Sequence, residues 1–128
     1  MANIDILNRL MAAAEKRDKA GFLSCFTPDV EYKYHINARL LVGIDWVEKF
    51  LLKYWENTSD NLWRVDRYAE NGNLLLVEGL EEYVIKSSGE KVSHPYMGIV
   101  EIRDGKIAKM RDYFEMGDAH ERAAAQAR

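Results

Sequence analysis

The stretch Ile102-Arg103-Asp104-Gly105-Lys106-Ile107-Ala108-Lys109-Met110-Arg111-Asp112-Tyr113-Phe114 decides the fold of this chain. Asp104-Gly105 lies between two runs of strand-forming residues, which is a hairpin signal. The second run carries a carboxylate, Asp112, among apolar and aromatic neighbours. A carboxylate on the inward face of a strand is costly unless it is paired, hydrogen-bonded or functional. A functional Asp112 makes the chain a small acid/base enzyme built around a pocket.

Strand signals continue back from this hairpin. Val92 to Ile102, Leu74 to Lys86 and Leu62 to Ala69 read as strands, and Asn71-Gly72 marks a second tight turn. Upstream of them the period changes to that of helices. Ile6, Leu7, Leu10, Met11 and Ala14 fall on one face of a helix over residues 3–18, with Asn3 or Asp5 as its cap. A short helix over 19–26 turns Phe22, Leu23 and Phe26 inward, and Thr27-Pro28-Asp29 breaks it. Val30 to His35 alternates as a strand, with His35 in solvent. A third helix, 44–57, follows Gly43 and buries Val47, Phe50, Leu51 and Tyr54. Asp118 is placed to cap an Ala-rich C-terminal helix, with His120 solvated. Helices first and antiparallel strands second make an α+β domain. The expected architecture is a curved antiparallel sheet wrapped around three N-terminal helices, a cone whose mouth binds small ligands.

The whole chain bounds what such a pocket can serve. Its 128 residues fit one domain, 1–128, with a single core. Lys and Arg are scattered and the net charge is −3, which argues against nucleic acid. No apolar run approaches the roughly 20 residues that span a bilayer. Met1 to Asp5 has no basic start of a signal peptide. The lone Cys25 cannot form an internal disulfide and reads as a packed residue, which fits a cytoplasmic setting. Three scattered His residues have no close ligand pair, so no metal is expected. No glycine-rich phosphate loop is present, so no nucleotide or flavin cofactor is expected either.

The turns set which side chains share the inner face. A three-residue loop at Arg103-Asp104-Gly105 pairs Ile102 with Lys106, and so sets Tyr96 opposite Asp112 and His94 opposite Phe114. A two-residue loop at Ser88-Gly89 sets Tyr83 opposite His94 and Glu81 opposite Tyr96. Glu81, Tyr96 and Asp112 then form a row flanked by Tyr83, His94 and Phe114, with Gly79 and Gly98 leaving room for a ligand. Two alternatives stay open. A two-residue Asp104-Gly105 loop pairs Asp112 with Met97 and turns His94 and Tyr96 to the face of Arg111 and Tyr113. A slip in the other hairpin exchanges Glu81 for Glu82. Pro95 implies a bulge or an edge. The outward positions Leu80, Val84, Met97, Ile99 and Tyr113 are too apolar to stay wet, which points to a homodimer through the convex face of the sheet.

Phe26-Thr-Pro-Asp-Val-Glu-Tyr32, Gly43-Ile-Asp45 and Asp104-Gly-Lys-Ile107 with Arg111-Asp-Tyr-Phe114 together resemble the SnoaL-like branch of the NTF2-like superfamily, cone-shaped α+β barrels. The last motif looks most like the limonene epoxide hydrolase group and related polyketide cyclases. The resemblance implies a carboxylate at Asp112, a second at Glu81 and a tyrosine at Tyr32. It also implies an Arg and an Asn where this chain has Gly79 and Tyr34. Ketosteroid isomerases of this fold place their base near Tyr34 and an acidic donor at Gly98, and both are absent here. SnoaL-type cyclases pair a last-strand Asp with a nearby His, as Asp112 and His94 do.

The candidate catalytic residues are thus Asp112, His94, Glu81 and Tyr96. Tyr32, Tyr34, Tyr83, Phe114, Gly98 and Trp46 are candidates for holding the substrate. Asp112 is expected as the base, and protonated Glu81 with a tyrosine as the hold on the substrate oxygen. The expected activity is isomerisation, aldol cyclisation or dehydration of a small apolar oxygenated ring compound without a cofactor. Epoxide hydrolysis and a non-catalytic binding or dimerisation module are the alternatives.

Overall fold

In the computed structural model, which describes residues 2–115, three helices precede a six-stranded sheet. The helices are α1 (Asn3–Glu15), α2 (Lys19–Leu23) and α3 (Ile44–Asn57). The strands are β1 (Phe26–Lys33), β2 (Leu41–Val42), β3 (Thr58–Asn71), β4 (Leu74–Ile85), β5 (Lys91–Arg103) and β6 (Lys106–Tyr113). Their order across the sheet is β2-β1-β6-β5-β4-β3. Every pair is antiparallel except β1 with β6, which run parallel. The expected C-terminal helix, Asp118 and His120 lie outside the described residues.

Local chemistry starts and stops these elements. The Asp5 carboxylate accepts from the Ala2 N–H at 3.2 Å and closes the first turn of α1. Asp18 accepts from the Gly21 N–H at 3.0 Å and caps α2. Ile6, Leu7 and Leu10 of α1 and Val47 and Leu51 of α3 press on the concave face of the sheet. They meet Val30, Leu75, Val77, Val100 and Met110 there, and Phe22 and Cys25 close the base of the core.

The β5–β6 hairpin departs from the expected register in an instructive way. Asp104 and Gly105 both have positive φ, 54° and 74°, so the loop is the two-residue type with Arg103 opposite Lys106. The pairing then shifts by one residue. Ile102 faces Ile107, while Glu101 faces Lys109, leaving Ala108 as a bulge. The bulge restores the parity that the short loop alone would reverse. Asp112 ends up opposite Gly98, not Tyr96, and remains on the same face as Tyr96 and His94. The β4–β5 hairpin also slides by two residues, because Ile85 bonds back to Glu90 across a four-residue loop. Glu81 therefore faces His94, and Gly79 faces Tyr96. Both corrections keep the predicted residues on the inner face and change which of them are neighbours. Pro95 faces Leu80, past Met97 where β5 loses its β6 partner, so it occupies an edge as expected.

Candidate active site

The inner face of the sheet beyond the core carries polar side chains. Asp112 from β6, Glu81 and Tyr83 from β4, His94 and Tyr96 from β5 and Tyr32 from β1 all stand there. The aromatic side of α3 faces this group. Phe50 stacks on Tyr34 with ring centroids 4.3 Å apart and meets Tyr32 edge-on at 5.7 Å. Tyr54 meets Tyr83 edge-on at 5.7 Å. Asp112, Glu81, Tyr32 and Tyr54 each retain some exposure despite facing inward.

The electrostatics of this cleft centre on two carboxylates. Asp112 keeps part of its surface on the concave side, yet protein atoms surround it so densely that burial dominates its titration. Burial, and then the charge of Glu81, push its carboxyl well above the usual carboxylate range. Burial followed by Asp112 and Glu81 drives the Tyr32 hydroxyl up in the same way. Tyr54 and Tyr83 are raised by burial and then by Glu81. All three phenols are therefore neutral donors near neutral pH.

Glu81 has a partner of its own. Its Oε1 lies 3.5 Å from His94 Nε2, with the His94 side chain 3% exposed and that of Glu81 29% exposed. His94 Nδ1 is 3.2 Å from the Pro95 carbonyl. A carbonyl only accepts, so Nδ1 carries a proton and Nε2 is the atom that faces Glu81. Nε2 is buried without a closer partner. The His94 ring stacks on Phe114 at 4.1 Å and 11°.

The expected site residues separate into three groups here. Asp112, Glu81, His94, Tyr83, Tyr32 and Tyr34 come together in the cleft, as does Phe114. Tyr96 belongs to the same face, but its hydroxyl accepts from Trp63 Nε1 at 2.8 Å and donates to the Arg64 carbonyl at 3.3 Å. It anchors β5 to β3 rather than standing free for a substrate. Gly98 contributes space for Asp112. Trp46 stands apart, 44% exposed, with Lys49 Nζ 4.5 Å and Arg39 Cζ 4.9 Å from its ring centroid.

His35 corrects the sequence reading outright. Alternation places it in solvent, but it is 7% exposed. The chain bends at Tyr34-His35, past the end of β1, and turns the imidazole onto the edge of Phe114 at 4.8 Å. A bend of this kind leaves no mark in an alternating pattern.

Gly79 settles the absent arginine. A Cβ at this position would lie 1.8 Å from the Arg64 carbonyl oxygen of the adjacent strand, so no side chain fits there. A groove of about 310 Å³ opens elsewhere, between α1 and β3, lined in part by Asp5, Met11, Asp66 and Tyr68. It is separate from the Asp112 cleft, and its carboxylates are engaged by the Ala2 N–H and by Arg64. The paired carboxylates make the cleft, not the groove, the candidate active site. Among the described residues no group of three or more His, Cys, Asp or Glu is arranged to hold a metal ion.

The profile of the SnoaL-like domain matches residues 7–110, which is most of the chain and ends two residues before Asp112. The protein belongs to the SnoaL-like family. Solved SnoaL-like and NTF2-like structures share its fold. One is an NTF2-like protein of unknown function from Burkholderia pseudomallei, 20% identical, with a TM-score of 0.81 over 90% of this chain and 92% of that one. Another is an LEH-like epoxide hydrolase from M. tuberculosis, 19% identical, TM-score 0.78, over 88% and 82% of the two chains. A third is a candidate polyketide cyclase from Pseudomonas putida, 19% identical, TM-score 0.80, over 94% and 97%. No curated protein matches the sequence. At these identities the structures establish the cone-shaped α+β fold of this SnoaL-like chain, and the chemistry has to come from its own residues. No helix among the described residues is long and apolar enough to cross a membrane.

Proposed function

We propose that this SnoaL-like protein is a cofactor-independent acid/base enzyme acting on a small, apolar, oxygenated ring compound. The observation that carries the reading is the pairing of Asp112 and Glu81 in unequal surroundings. Burial and the Glu81 charge push the Asp112 carboxyl well above the usual carboxylate range, while Glu81 stands beside His94 with part of its side chain in solvent. A raised carboxyl beside a second, more exposed one is equipment for an acid and a base at one site. Asp112 is the acid and gives its proton to the substrate oxygen, assisted by the Tyr32 hydroxyl. Glu81, beside His94, is the base and takes a proton from a carbon next to that oxygen. These proposed roles exchange those expected from sequence, and the burial that raises the Asp112 carboxyl supports the exchange. The stacked rings of Tyr34, Phe50 and Tyr54 give the cleft an apolar wall suited to a ring substrate.

Proton transfer to and from carbon serves isomerisation, aldol cyclisation and dehydration alike. Epoxide opening by the arginine-bridged carboxylate row is disfavoured, since the Gly79 position admits no side chain. The test is solvent deuterium exchange. Cyclic enones and hydroxy-enones incubated with the protein in D2O should gain deuterium next to the oxygen-bearing carbon, followed by proton NMR. Binding of such compounds without exchange or turnover would support a binding module instead.

The same reading includes a homodimer through the convex face. Leu76, Met97 and Tyr113 are exposed there on three adjacent strands, with Met97 directly across the ladder from Tyr113. A second copy of this face would cover them.

A further inference from the structure

His35 has no role in the acid/base scheme, yet its surroundings are more closely specified than those of most residues near the cleft. Its Nδ1 accepts from the Asn37 N–H at 3.1 Å. Its carbonyl accepts from the Ala38 N–H at 2.9 Å, so the residue opens the turn that leads to β2 and α3. The ring also meets the Phe114 side chain at 62°, with ring centroids 4.8 Å apart.

Phe114 lies one residue beyond the last residue of β6, so no ladder fixes it. Its ring meets two imidazoles, that of His35 at a steep angle and that of His94 face to face. His94 in turn has two settings open to a buried imidazole, one with each nitrogen toward Glu81. The stack against Phe114 holds the plane of the ring, and within that plane the Nδ1 bond to the Pro95 carbonyl selects the setting in which Nε2 faces Glu81. The order of contacts is therefore Asn37 main chain, His35, Phe114, His94, Glu81.

We propose that His35 is a positioning residue for the Glu81–His94 pair, acting through the ring of Phe114. The inference rests on the reading of that pair as the base, but its test does not need a substrate. Long-range proton–nitrogen NMR of 15N-histidine-labelled protein in alkaline buffer reports which ring nitrogen carries the proton. In the wild type, Nδ1–H is the dominant form of His94. In His35→Phe, which keeps a ring but loses the bond from the Asn37 N–H, the Nδ1–H form falls below half of the population. Phe114→Ala gives the same change, and the double variant changes no further than the larger single effect, as expected for two members of one chain of contacts. His35→Gln, which keeps polar atoms at the position, restores part of the wild-type ratio and stands in should His35→Phe fail to fold.

A purely structural His35 would lower the melting temperature and leave the His94 tautomer unchanged. An unmoved tautomer in a folded His35 variant, or additive effects of His35 and Phe114, overturns the proposal. If the tautomer shifts as described but no proton-transfer activity is found, the enzymatic reading fails while the positioning role stands.

Discussion

Gly98 stands directly across the β5–β6 ladder from Asp112, and a methyl group added to it would lie 2.8 Å from the Asp112 Oδ1. The glycine gives the carboxyl its place. Gly98→Ala is therefore expected to rotate Asp112 off its rotamer at a cost of about 0.5–1.5 kcal/mol, with a disproportionate loss of activity. Gly79→Ala meets the Arg64 carbonyl at 1.8 Å instead, and a backbone atom of a paired strand cannot yield cheaply. That variant should lose about 1–3 kcal/mol or more. Chemical denaturation of the two variants checks the order. Equal stability losses would contradict the contact geometry.

Asp112 links stability to pH. Its carboxyl is raised in the folded state, by burial and then by Glu81, relative to the unfolded chain. A raised group contributes its stability fully below the unfolded value, and that contribution is lost as pH rises through the folded value. Asp112→Asn removes this dependence and keeps the shape. The melting temperature of Asp112→Asn minus that of the wild type should therefore grow from mildly acidic toward neutral pH. A difference independent of pH across that window would show that Asp112 is not raised.

Activity should divide along the same line. Asp112→Asn and Glu81→Gln each remove one proton-transfer partner, so each should lower kcat by about 10²–10⁴-fold on whatever enone the exchange assay identifies. Ligand affinity should change little in Asp112→Asn, because the amide preserves volume. Glu81→Gln also removes a charge that raises Asp112, so the limb of the pH–rate profile due to the acid should move to lower pH. A variant with an unaltered rate loses its assigned role.

The convex face makes a prediction about assembly. Met97→Lys combined with Tyr113→Lys places two ammonium groups on the exposed apolar area. Sedimentation at micromolar concentration should show a dimer for the wild type and a monomer for the double variant. A monomeric wild type would remove the proposed interface.

Much of the fold was legible in the sequence, because it rests on period and punctuation. The helix at 44–57 was readable to the residue from Gly43 and the spacing of Val47, Phe50 and Leu51. Asp104-Gly105 announced its hairpin in the same way. The exact neighbours within the site were harder, because a bulge adds one residue without changing composition. A signal for it did exist. Ile107 and Met110 are both buried although three residues apart, and no regular strand can turn both to one face. Reading that pair as a bulge places Asp112 opposite Gly98 from sequence alone.

Other parts of the site depend on contacts that only the folded chain creates. Tyr96 shares the face of the cleft as its parity implies, but Trp63 reaches it from β3 across the intervening strand and occupies its hydroxyl. Pairing at that distance depends on the β3 bulge between Val65 and Arg67 and is not written in local pattern. His35 was misplaced because strand alternation ends one residue before it, at the Tyr34 bend. The proposed assignment of acid and base draws on which carboxyl is more enclosed, which no local pattern records.

The protonation state of Asp112 tests the central claim most directly. Carboxyl 13C NMR of aspartate-labelled protein, with Asp112→Asn identifying the resonance, follows its titration without any substrate. The account predicts that Asp112 stays protonated well above the range of ordinary aspartates, and that its midpoint drops in Glu81→Gln. A midpoint in the ordinary aspartate range, unmoved by Glu81→Gln, would contradict it, and with it the pairing of acid and base on which the proposed activity depends.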